Sequence, residues 1–177
     1  MSRQVWLPVL CLLGALSAVE PAAAQPLIDA FGDSVTKGAF PFDELEMGGY
    51  PKRLQKLLRQ EGLETARVRN HGIGGEKTPA ALSRLDGVLG NGGDVFILME
   101  GTNDVTAIAE GSLSLETTLF NLGQMNKKAQ ARGFETIMAT VIPRRPDAQR
   151  DRWNHITLEL VLGIRDMAAR SGQTLAE

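Results

Sequence analysis

The chain alternates between two kinds of hydrophobic pattern. Short apolar, β-prone runs at residues 27–31, 66–69, 95–99 and 136–141 are separated by longer stretches in which apolar side chains return at helical spacing. In the first such stretch Leu54, Leu57 and Leu58 share a face, and in the second Leu82, Leu85 and Leu89 do. A third covers about 115–131, opened by the hydroxyls of Ser114 and Thr117 and closed by Gly133 just past Arg132. A fourth, over about 148–170, aligns Trp153, Ile156, Leu160, Ile164 and Met167 on one stripe and stops before Gly172. Strand and helix in alternation predict a parallel sheet with helices on both faces, joined by right-handed crossovers. In such sheets the chemistry sits at the carboxyl ends of the strands.

Residues 1–25 stand outside this alternation. One early cation, Arg3, an apolar stretch from Val5 to Val19, and Ala22-Ala23-Ala24 predict a secretory signal cleaved after Ala24. The stretch is shorter than the roughly 20 residues a membrane-spanning helix needs, and Glu20 and Pro21 end it, so no stable membrane span is expected. The single cysteine, Cys11, lies inside this segment and lacks the small preceding residue that lipidation would favour. The sequence therefore reads as a signal over 1–24 and one continuous domain over 25–177, secreted or periplasmic. After cleavage the domain has no thiol for a disulfide or a thiolate metal site. Charge is balanced, with 19 basic and 21 acidic residues and a net charge of −2, and no basic stripe points to nucleic acid. Arg144, Arg145, Arg150 and Arg152 form a small cluster that reads as a decorated loop and helix start rather than an anion site.

Three strand ends carry the unusual residues. Gly32-Asp33-Ser34 follows the first strand, Gly72-Ile73-Gly74-Gly75 the second, and Gly101-Thr102-Asn103-Asp104 the third. Taken singly, each has a bland reading: Ser34 as a helix cap or turn residue, Gly75 as a turn glycine, Asn103-Asp104 as the cap of a following helix. The glycine-rich loop lacks the third glycine of G-x-G-x-x-G, where Lys77 stands, and has no lysine–hydroxyl pair for phosphates, so no nucleotide cofactor is expected.

Taken in order, Gly32-Asp33-Ser34, Asn70-His71-Gly72-Ile73-Gly74-Gly75-Glu76 and Gly101-Thr102-Asn103-Asp104 resemble the first three sequence blocks of the SGNH (GDSL) hydrolase family. The resemblance implies a three-layer α/β/α sandwich with a parallel, flavodoxin-like sheet. It implies Ser34 as the nucleophile, and an oxyanion hole made of the Ser34 N–H, the Gly75 N–H and the Asn103 side-chain amide. A small-molecule ester or thioester would be cleaved through an acyl-Ser34 intermediate without metal or organic cofactor. Glycine allows close backbone approach to a bound carbonyl, and asparagine is a donor that does not titrate. Asp33 is read as a brace for the loop. The substrate class and the oligomeric state stay open, as do two other roles for the same pocket: a non-catalytic binding module, and acyl transfer to a carbohydrate.

Family members usually complete the triad with Asp-x-x-His after a fifth strand, and this sequence has no such block. Its two histidines are His71, read as a loop residue with structural or substrate contacts ahead of a substitute base, and His155, read as a surface or partly packed residue of a covering helix, four positions after Asp151. Without a base, turnover should fall on the order of a millionfold. The sequence is therefore read as a longer esterase interrupted at Glu177, its last strand and helix missing. That reading leaves the strand over 136–141 as an unprotected edge with part of one face uncovered, an arrangement that favours aggregation.

Overall fold

A computed structural model describes residues 26–38, 48–143 and 153–177. The signal over 1–24 with Cys11, the arginine cluster 144–152, and Asp151 lie outside the described residues. The four apolar runs become parallel strands and residues 174–176 add a fifth: β1 (Leu27–Gly32), β2 (Arg67–Gly72), β3 (Val95–Met99), β4 (Glu135–Ala139) and β5 (Thr174–Ala176), in the sheet order β2-β1-β3-β4-β5. The helices are α1 (Ser34–Lys37), α2 (Gly49–Gln60), α3 (Thr78–Leu89), α4 (Thr102–Ala109), α5 (Leu115–Ala131) and α6 (Asn154–Ser171).

Two expectations change. The strand expected at 136–141 is not an edge: β5 pairs with it, Ile137 opposite Thr174, Met138 opposite Leu175 and Ala139 opposite Ala176, and Thr140 N–H donates to Ala176 O at 3.0 Å. A fifth strand is therefore present, and among the described residues the edges of the sheet are β2 and β5. The second strand runs through His71 to Gly72, so His71 is a strand residue and not a loop residue. An edge strand has one solvated flank, which lets the polar run Arg67-Val68-Arg69-Asn70-His71 pair with β1 over its full length.

Strand order sets the layers. The step from β1 to β2 runs one way across the sheet and all later steps run the other way, so right-handed crossovers put α2 on one face and α3, α5 and α6 on the opposite one. The main core lies on the α3–α5–α6 face, where Phe31, Phe96, Leu98 and Met138 of alternate strand positions meet Leu85, Leu122, Met125, Leu160 and Ile164. Helix periodicity is obeyed there: Ile156, Leu160 and Ile164 of α6 are buried, with Trp153 and Met167 packed against the same core. The Ser114 hydroxyl accepts from Thr117 N–H at 3.0 Å and caps α5, as its sequence predicts.

Among the described residues the other face is thinner. Here α1 and α2 cover the β2 side, and a largely apolar cavity of about 660 Å³ lies over β3, β4 and β5, lined by Ile97, Met99, Ile137 and Ala139 with Leu54 and Leu57 of α2. Leu57 is 47% exposed, so the Leu54-Leu57-Leu58 face of α2 is only partly covered by the described residues.

The sheet is drawn tight at one place. A Cβ on Gly72 would lie 2.1 Å from Lys37 N, and one on Gly32 would lie 2.1 Å from Thr36 Oγ1 and 2.3 Å from Met99 O. Hydrogen alone at these two positions lets α1 sit directly on the ends of β1, β2 and β3.

Candidate active site

Register brings the three loops to one edge. Gly32 is level with Gly72 on one side and Met99 on the other, so the residues after β1, β2 and β3 leave the sheet side by side. Ser34 is the first residue of α1, half-buried, and Asp33 caps that helix: its Oδ1 accepts from Val35 N–H at 2.9 Å. This is the loop brace expected of Asp33. Gly75 is exposed and has φ +77°, a left-handed backbone that favours glycine, with open space where a Cβ would point. Asn103 lies in the first turn of α4, whose N-cap is Gly101. Asn103 does not cap that helix. Its Nδ2 donates to Glu76 O at 2.8 Å, tying the third loop to the second.

Asp104, next to Asn103, is fully buried and faces α3 and α5. Its carboxylate accepts from Thr78 N–H at 3.1 and 3.3 Å, from Thr78 Oγ1 at 2.5 Å and from Thr118 Oγ1 at 3.2 Å. The Asn103 backbone is thereby anchored to two core helices.

Behind these loops lies a group of acids whose association the sequence did not reveal, Glu100 among them unnoticed. Glu100 directly follows β3 with 1% exposure, and Glu76, Asp33 and Asp104 are buried around it. Oε1 of Glu100 and Oδ2 of Asp33 meet no hydrogen-bond partner among the described residues. Burial, followed by the negative charges of Asp33 and Glu76, pushes the Glu100 carboxyl up to about 10, so it stays protonated at neutral pH. Asp33 is raised too, because burial outweighs the hydrogen bonds from Val35 N–H and Thr102, and the Asp104 charge adds to the rise. Among the described residues, Glu76 alone in this group has a cation: Arg84 of α3 grips its carboxylate from Nε at 2.8 and 2.9 Å and from Nη2 at 2.5 Å.

The histidines are placed elsewhere. His71 shares the α3 face with Phe31, and its Nε2 lies 2.8 Å from Asp29 Oδ1, which also accepts from Arg69 Nε at 2.6 Å. Asp29 sits three residues before Gly32, within the sheet and away from its carboxyl edge. His155 is exposed on α6. Among the described residues, no side chain hydrogen-bonds to the Ser34 hydroxyl. Likewise no cluster of three His, Cys, Asp or Glu side chains among them is arranged for a metal ion, and no helix is long and apolar enough to cross a membrane.

Comparison with known proteins gives this arrangement relatives. The family model of GDSL-like lipases and acylhydrolases matches residues 30–176. AlinE4, an SGNH-hydrolase family esterase, superposes with a TM-score of 0.64 at 27% identity, over 88% of this chain and 77% of that one. The lipase/acylhydrolase from Enterococcus faecalis gives 0.70 at 26% identity, over 85% and 75%. An acetylxylan esterase from Geobacillus stearothermophilus, Axe2, gives 0.72 at 18% identity over 86% and 75%, a likeness of fold. No curated protein sequence matches the chain.

Proposed function

Because the chain belongs to the GDSL-like lipase/acylhydrolase family, we propose that it is a serine esterase whose Ser34 attacks the carbonyl carbon of a small ester or thioester. The Ser34 and Gly75 N–H groups and the Asn103 side-chain amide are the donors to the oxygen that turns negative in that attack. The Ser34 proton passes to a base that the described residues do not supply, that proton is returned to the departing alcohol or thiol, and water then releases the acid from acyl-Ser34. The observation that carries this reading is the bond from Asn103 Nδ2 to Glu76 O, which leaves that amide a second N–H and holds it beside the Gly75 turn.

One observation favours a second reading. His71 is engaged with Asp29 and His155 is exposed on α6, so the described residues furnish no imidazole to Ser34. A pocket with donors but no base would bind an ester or carboxylate without turning it over. A fluorophosphonate probe separates the two. The esterase reading expects the full chain to be labelled on Ser34 and labelling to vanish in Ser34→Ala; an unlabelled but folded wild-type chain makes the binding module the correct reading.

A further inference from the structure

The loop after β2 is exposed at Ile73, Gly74 and Gly75, yet the next residue is buried and held from two sides. The Glu76 carboxylate is gripped by Arg84, and the Glu76 carbonyl accepts from Asn103. Arg84 does more than hold Glu76. Its Nη2 donates to His71 O at 2.9 Å and reaches Gly32 O at 3.5 Å, and its guanidinium carbon lies 4.0 Å from the centroid of the Phe31 ring. One cation therefore joins the ends of β1 and β2 to the loop between β2 and α3. Through Glu76, the same cation is linked to the Asn103 amide.

We propose that Arg84 and Glu76 are positioning residues for the oxyanion donors, fixing the turn one residue past the Gly75 N–H and setting the rotamer of Asn103. The inference rests on the reading of Ser34, Gly75 and Asn103 given above. Three features set this clamp apart from a surface ion pair. The side chains are 22% and 5% exposed, so water competes weakly. The grip is a fork on a carboxylate, geometry that lysine cannot copy. Arg84 is also stacked on a core ring, so its position is dictated by the sheet. Preorganisation matters here because a donor aimed before the charge develops needs no rearrangement during the reaction, and losing one such donor lowers turnover by about 10²–10³.

The test uses the full chain and two variants, Arg84→Lys, which keeps the charge but loses the fork, and Glu76→Gln, which keeps the shape. Folding is checked by near-ultraviolet circular dichroism. The first readout is the ¹H–¹⁵N spectrum: the Asn103 side-chain amide pair and the Gly75 amide are expected to shift and broaden in both variants, while resonances of α5 and α6 stay in place. The second is the rate at which a fluorophosphonate labels Ser34, expected to fall about tenfold or more in Arg84→Lys. Unmoved Asn103 and Gly75 resonances in a folded variant overturn the clamp. If the wild-type chain is not labelled, the esterase reading fails, yet the spectra still decide the clamp. If Arg84→Lys does not fold, Glu76→Gln supplies the spectral answer.

Discussion

A buried carboxylate within the sheet and a pair at its carboxyl end differ in kind. Asp29, midway along β1, is fully buried, and each of its oxygens has a donor: Oδ1 takes Arg69 Nε and His71 Nε2, and Oδ2 takes Arg69 Nη2 at 2.5 Å. Arg69 continues to Gly92 O and Asn91 O in the turn before β3, so the ion pair fastens β1, β2 and that turn together. At the carboxyl end of the sheet, Asp33 and Glu100 are as deeply buried and have oxygens without partners among the described residues. Burial acts on both groups in the same direction. At Asp29 the hydrogen bonds and charge of His71 and Arg69 outweigh it and hold the carboxyl below its usual range; at Glu100 nothing outweighs it. The first group is a fastening. The second is polar material kept in place against its solvation preference, a pattern typical of sites where function rather than stability has set the residue.

The largest test of this contrast is Asp29→Asn. It leaves Arg69 and His71 facing a neutral group inside the sheet, and the expected loss is about 3 kcal/mol in urea unfolding at neutral pH. A loss below about 1 kcal/mol would remove the distinction between fastening and site. In the wild type, stability due to Asp29 is present above the ordinary carboxylate range and is lost as pH falls through it, because its folded value is the lower one.

Glu100→Gln is expected to act in the opposite sense. The folded chain keeps the Glu100 proton where the unfolded chain releases it, so this group makes stability decline as pH rises from about 4.5 towards 10, by at most about 1.4 kcal/mol per pH unit. The glutamine variant should lie near the wild type at pH 5 and become the more stable of the two as pH rises to 8. Parallel pH curves for the two chains would show that Glu100 is ionised and paired after all. The smallest effect belongs to a control outside both groups. Asp86 is exposed and bridges Lys128 at 2.7 Å and Arg132 at 3.2 Å, and Asp86→Ala should leave the unfolding midpoint unchanged within measurement error.

The elements that position the site were legible because their signals are local. Residues 95–99 form an unbroken apolar strand and 115–131 a capped amphipathic helix, and both formed with the expected bounds. Helix α4 gave no periodic signal because eight residues make barely two turns. The extension of β2 through His71 was hidden because an edge strand can be polar, and alternation cannot mark a face that is half solvated. The blocks holding Ser34, Gly75 and Asn103 were found by their order, and the register of β1 with β2 and β3 explains why order sufficed: it makes their ends level. The acids were a different matter. Asp29 was passed over inside an apolar run, and the partners Glu76, Arg84 and Glu100 are joined only by the fold, Arg84 reaching Gly32 across 52 positions of sequence.

The glycine contacts at the serine turn have a consequence for how this protein can change over generations. At Gly72 the nearest neighbours of an added methyl group are backbone atoms of Lys37 and Thr36, and at Gly32 they are the Thr36 hydroxyl and the backbone oxygen of Met99; backbone atoms do not swing aside as a flexible side chain does. A variant at Gly72 must displace α1 as a body, and with it Ser34, and one at Gly32 must push both the Thr36 side chain and the end of β3 aside. Drift at these two sites is therefore closed to single steps, whereas the exposed Ile73 and Gly74 beside them are free to vary. Diversity in what such a pocket accepts has to enter through the loop, because the turn beneath it admits none.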